Sequence, residues 1–117
     1  MILLIEDNPD DMLLLKHMLQ GLDQWPHVIC EATRLVDGLT ILRARRPELV
    51  LLDLDLPDAR GLEALTQVQR LAPEVPIVVV TGDGYGDETV AVAALRAGAE
   101  DYLRKDHLEP AALARVL

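Results

Sequence analysis

Four short apolar runs in this chain stop abruptly at residues that carry charge or a hydroxyl. Ile2-Leu3-Leu4-Ile5 gives way to Glu6 and Asp7, Leu49-Val50-Leu51-Leu52 to Asp53, and Ile77-Val78-Val79-Val80 to Thr81. Tyr102-Leu103 is followed, after Arg104, by Lys105. Runs of this length, rich in β-branched side chains, read as strands. A further strand is expected over His27 to Glu31. Segments of helical period lie between them, and that alternation predicts βα units and a parallel sheet.

The first helix is the best specified. Asn8 suits an N-cap, Pro9 the first helical position, and Asp10 and Asp11 the positive end of the helix dipole. Leu15, Met18, Leu19 and Leu22 then fall on one face. A loop around Trp25-Pro26 leads to the second strand. Leu35, Leu39 and Leu42 stripe a second helix that stops before Pro47. After a turn at Pro57 to Gly61, Leu65, Val68 and Ala72 mark a third helix, ended by Pro73 and Pro76. The fourth helix, Val90 to Ala97, follows a loop made permissive by Gly82, Gly84 and Gly86. Its stripe of Ala91, Ala94 and Leu95 has little area to bury, so modest anchoring is expected. Gly98 suits its C-terminal stop, and a last helix runs from Glu109-Pro110 to Leu117.

A chain of 117 residues is expected to form one domain. Its first strand starts at the second residue and its last helix ends uncapped, so residues 1–117 are expected to be a piece of a longer multidomain protein. Acidic residues outnumber basic ones 20 to 11, for a net charge of -9. That balance disfavours direct contact with nucleic acid or an anionic membrane surface. No run approaches a membrane span, and a cytoplasmic location is expected. Cys30, the single cysteine, reads as a small buried residue of the second strand. His17, His27 and His107 lack metal-ligand spacing, and Arg43-Ala44-Arg45-Arg46 reads as a solvated helix end.

The carboxyl ends of strands in an open parallel sheet share one rim, where ligands bind. Glu6, Asp7, Asp53, Thr81 and Lys105 would meet there. A carboxylate among carboxylates, as Asp53 would be, is suited to attack phosphorus and carry an acyl phosphate. Such crowding calls for a cation, and hard oxygen ligands suit Mg²⁺. Thr81 could donate a hydrogen bond to a phosphoryl oxygen, and Lys105 could pair with Asp53 before modification and with the phosphoryl group after it. Taken alone, each residue is as well explained as a cap, a strand-end threonine or a solvated lysine. Tyr102 fits either a half-buried core ring or one that moves with Thr81.

In order and spacing these elements resemble the receiver domain of two-component response regulators. The likeness rests on Glu6-Asp7, on Asp53 with Pro57 and Gly61 after it, on Thr81-Gly82, and on Asp101 to Lys105. It implies a flavodoxin-like, doubly wound fold: a five-stranded parallel sheet of order 2-1-3-4-5 flanked by five helices. It also implies transfer of phosphate to Asp53 from a sensor histidine kinase or phosphotransfer protein. Mg²⁺ would then be held by Glu6, Asp7, Asp53 and the backbone carbonyl of Asp55. Thr81 and Tyr102 would act as switch residues, and the face formed by the fourth helix, fifth strand and fifth helix would be read by an output domain or partner, or used for dimerisation. The likeness further implies that the chain catalyses its own phosphotransfer and dephosphorylation without being a turnover enzyme.

Two departures stand out. Asp106 follows the lysine where receivers commonly have Pro; a non-proline cis bond costs about 2.5–4 kcal/mol, so a trans link and a shifted loop are expected. Asp55 and Asp83 add charge two residues beyond Asp53 and Thr81, where they are expected to alter the lifetime of the phosphorylated state. Asp53-Leu54-Asp55 also resembles the nucleophile motif of haloacid-dehalogenase-type phosphatases, but Pro57 and the short chain fit that family poorly. A receiver reduced to a docking module conflicts with an intact Asp53, Thr81 and Lys105. A flavin-binding protein conflicts with the scarcity of aromatics for stacking.

Overall fold

Strand β1 (Ile2–Ile5) is wholly buried and interior to its sheet: β2 (Ile29–Ala32) pairs with one of its edges and β3 (Leu49–Leu52) with the other. This computed structural model describes residues 1–22, 28–82, 88–105 and 108–116. The Trp25-Pro26 loop, His27, Asp83, Gly84, Gly86, Asp106, His107 and Leu117 lie outside the described residues. Beyond β3 the sheet continues with β6 (Ile77–Thr81) and β7 (Asp101–Arg104). All of its pairings are parallel and its order is β2-β1-β3-β6-β7. Counting only these five strands in chain order, that is the expected 2-1-3-4-5. A two-stranded antiparallel ribbon, β4 (Asp55–Leu56) with β5 (Ala59–Arg60), stands apart where a turn was expected.

Both faces of the sheet are covered, which is why its strands are continuously apolar. Alternate side chains enter separate cores. Leu3, Ile5, Val50, Leu52, Ile77 and Val79 face helices α2 (Leu35–Ala44), α3 (Leu62–Leu71) and α4 (Glu88–Arg96). Ile2, Leu4, Leu49, Leu51, Val78 and Val80 face α1 (Pro9–Gln20) and α5 (Pro110–Val116).

Asn8 caps α1 as expected, its side chain accepting from the amides of Asp10 and Asp11 at 2.9 and 3.1 Å. The buried stripe of α1 is Met12, Leu15 and Leu19; Met18 is only half-buried, and Leu22 falls past the helix end. Helix α2 takes no cap from its own N-cap side chain. The carboxylate of Asp58, in the ribbon turn, accepts from Leu35 and Val36 N–H at 2.7 and 2.9 Å instead. On α4, Ala94 is buried, but Leu95 of the expected stripe is 46% exposed, as is Val92. An Ala/Val sequence offers too little contrast to fix a helix face from its pattern, and the observed face is centred on Ala94 with Val90 and Ala97. Gly98 ends that helix at φ 111°, with Gly98 N–H donating to Leu95 and Ala99 N–H to Ala94.

Strand β2 begins at Ile29 and runs to Ala32, past the expected end at Glu31. Cys30 is half-buried there, its Sγ 3.1 Å from Met1 Sδ. The arginine run is not purely solvated: Arg46 donates to the carbonyls of Leu42 and Leu71 and pairs with Glu74 at 3.1 Å, tying the ends of α2 and α3 together. Among the described residues no helix is long and apolar enough to cross a membrane.

Candidate functional site

The order of the strands reverses between β1 and β3, so a crevice opens at their carboxyl ends. Ile5 is level with Leu52, and Asp53 N–H donates to the Ile5 carbonyl at 2.9 Å. Register alone therefore seats Glu6 beside Asp53. Leu52 is level with Val79, and Thr81 with Arg104. Thr81 and Lys105 thus lie on the same rim, on the next two strands.

Carboxylate oxygens of Glu6, Asp7 and Asp53 lie within 4.8 Å of one another. Glu6 and Asp53 are buried, whereas Asp7 is exposed. Lys105 Nζ sits 3.5 Å from Asp53 Oδ2 and in direct ion-pair contact with Glu6. Asp53 Oδ1 accepts from the Asp55 N–H at 3.2 Å, and Glu6 Oε2 from the Asn8 N–H at 3.2 Å. Each bond fixes one oxygen and leaves the other turned toward the lysine.

Burial pushes the Glu6 carboxyl up to about 8, and the hydrogen bond it shares with Asp53 adds to this; Lys105 offsets it only in part. Asp53 is also raised, first by burial and then by the charge of Asp7, against the pull of Glu6, Lys105 and the Asp55 amide. Burial would lower the Lys105 ammonium, but its hydrogen bonds to Glu6 and Asp11 and the charge of Asp53 outweigh that and hold it above its ordinary value.

Thr81 is fully buried, and its Oγ1 has no hydrogen-bond partner among the described residues. A buried hydroxyl so placed needs an acceptor. Tyr102 is half-buried and packs against the core that α4 shares. The Asp55 carboxylate does not join the cluster. It is exposed and lies 3.8 Å from Arg60, away from the acid/base position that the phosphatase alternative requires.

Asp11 is the contact that the sequence pattern missed. Its position predicts only a complement to the helix dipole, yet its Oδ2 lies 2.9 Å from Lys105 Nζ. The available signal was its place one turn beyond Asp7 on a helix that starts at the rim.

Comparison with known proteins agrees with this geometry. The family model described as the response regulator receiver domain matches residues 2–117. The photosynthetic apparatus regulatory protein RegA of Cereibacter sphaeroides is 36% identical over 82% of this chain and 51% of its own length. Protein PilH of Pseudomonas aeruginosa is 33% identical over 89% of this chain and 84% of its own length. The receiver domain of NtrX from Brucella abortus superposes with a TM-score of 0.84 at 30% identity, covering 99% of this chain and 93% of that one. The chain thus spans about half of RegA, and 22% of the regulatory protein NtrX of Azorhizobium caulinodans. Strand order, rim chemistry and sequence likeness coincide over nearly the whole chain, which belongs to the response regulator receiver domain family.

Proposed function

We propose that this chain is a phosphoryl-accepting switch in which Asp53 takes a phosphoryl group from a phosphohistidine of a sensor histidine kinase or phosphotransfer protein. One Asp53 oxygen attacks phosphorus, the P–N bond to the donor breaks, and the released imidazole takes up a proton. The observation that carries this reading is the buried Asp53 carboxylate, 3.5 Å from Lys105 Nζ and clustered within 4.8 Å with Glu6 and Asp7.

Glu6, Asp7 and Asp53, with the backbone carbonyl of Asp55, would hold Mg²⁺. The donor set fits: hard carboxylate oxygens of three residues converge within 4.8 Å of one another. When bound, the ion would screen the charge between Asp53 and the incoming group. Lys105 neutralises the oxygens gained on Asp53, and Thr81 gains the acceptor that its buried hydroxyl lacks.

Phosphorylation then biases a pre-existing equilibrium through Thr81 and Tyr102. The shallow packing of α4 supports its role as the moving element, with α4, β7 and α5 read by an output domain or partner protein, or used in dimerisation. The chain carries the group and catalyses its own transfer and loss, without turning over a free substrate. Incubation with a small phosphoryl donor and Mg²⁺, followed by intact mass measurement, tests this. One phosphoryl increment is expected on the parent and none on Asp53→Asn; an unmodified parent, or a modified variant, overturns the reading.

A further inference from the structure

Lys105 reaches three carboxylates, and only Glu6 and Asp53 belong to the phosphoryl site proposed above. The third, Asp11, lies in the first turn of α1 with its Oδ2 2.9 Å from Nζ and its side chain 33% exposed. The start of that helix is already provided for: Asn8 accepts from both Asp10 and Asp11 N–H, and Asp10 supplies a further acidic group. The Asp11 carboxylate is therefore not needed as a cap.

An ammonium group has three N–H donors. Lys105 donates to Asp11, is in direct ion-pair contact with Glu6 and lies at ion-pair distance from Asp53, so the ammonium is shared among three carboxylates in this state. An anion arriving on Asp53 competes with Asp11 for the ammonium. The bond to Asp11 can be given up without exposing a buried carboxylate, since Glu6 and Asp53 are 2% and 4% exposed.

We propose that Asp11 is a positioning residue that holds Lys105 back from the phosphoryl group, and so sets how tightly the modified Asp53 is held. This inference rests on the phosphoryl-acceptor reading. Neutralising Asp11 loosens its hold on Lys105, wholly in Asp11→Ala and in part in Asp11→Asn, and removes a negative charge close to the arriving anion. Both effects favour the anion.

Beryllofluoride, a phosphoryl mimic, provides the test, titrated at saturating Mg²⁺ and followed by the ¹⁹F resonances of the bound form. Asp11→Asn and Asp11→Ala are each expected to bind it about three- to tenfold more tightly than the parent. Asp10→Asn, a control for the helix dipole, should stay within about twofold. A merely structural role would weaken binding, so a gain is diagnostic. Asp11→Asn keeps the size and a carbonyl oxygen of the parent side chain, so it carries the test even if Asp11→Ala loses helix content by circular dichroism. Unchanged or weaker binding by Asp11→Asn, beside a parent that binds, overturns this inference alone. A parent that binds no beryllofluoride overturns the phosphoryl-acceptor reading and this inference with it.

Discussion

Glu6 and Asp53, both raised by burial, make the site answer to pH, Glu6 with the wider window. The Glu6 carboxyl ordinarily titrates at 4.5 and is pushed up to about 8 in the fold, chiefly by burial. Between those values the native chain holds a proton that the unfolded chain has lost, so stability falls as pH rises through that window. Thermal unfolding without divalent ions is expected to show a midpoint that declines from about pH 5 to 8, with Mg²⁺ restoring it at the upper end. Glu6→Gln should flatten the profile, and a parent midpoint independent of pH would contradict the assignment. Glu6, Asp7, Asp53, Thr81 and Lys105 were legible in the sequence because each follows a short apolar run, and runs of that kind end at one rim. Asp11 was not. Its partner lies 94 residues away, and nothing local separates a carboxylate that faces a helix dipole from one that faces a distant ammonium.

Among the elements, the ribbon β4–β5 has a role that its two-residue strands conceal. Asp58 in its turn supplies the cap that α2 lacks, tying the segment after Asp53 to a neighbouring helix. Asp58→Ala is expected to cost about 1 kcal/mol. Amide exchange should quicken at Leu35 and Val36 in particular; unchanged protection there would remove Asp58 from this role. The five main strands were legible as short apolar runs and the first three helices from their apolar stripes, α1 the best specified. The ribbon was not, since a pair of two-residue strands leaves no period to detect. Leu95 lies off the buried face where the pattern places it because Ala and Val dominate α4, and the Asp58 cap leaves no local signal because the contact joins residues 22 to 23 apart.

For the molecule as a whole, the sheet is a partition. Val68 on α3 belongs to the core shared by α2, α3 and α4, and Val80 on β6 to the core under α1 and α5. Val68→Ala and Val80→Ala should each cost about 2 kcal/mol. Urea unfolding of the double variant should give their sum to within about 0.5 kcal/mol. A larger coupling energy would mean that the two layers are not separately packed. That separation bears on the surface proposed to be read by partners. Helix α4 is rooted in one core through Ala94 and α5 in the other through Leu113, while edge strand β7 sends Leu103 into the second and rests Tyr102 against the first. The surface is therefore a seam. Helix α4 can shift within its own interior without disturbing the one that holds α5, so the outline of the seam can change while half of it stays fixed.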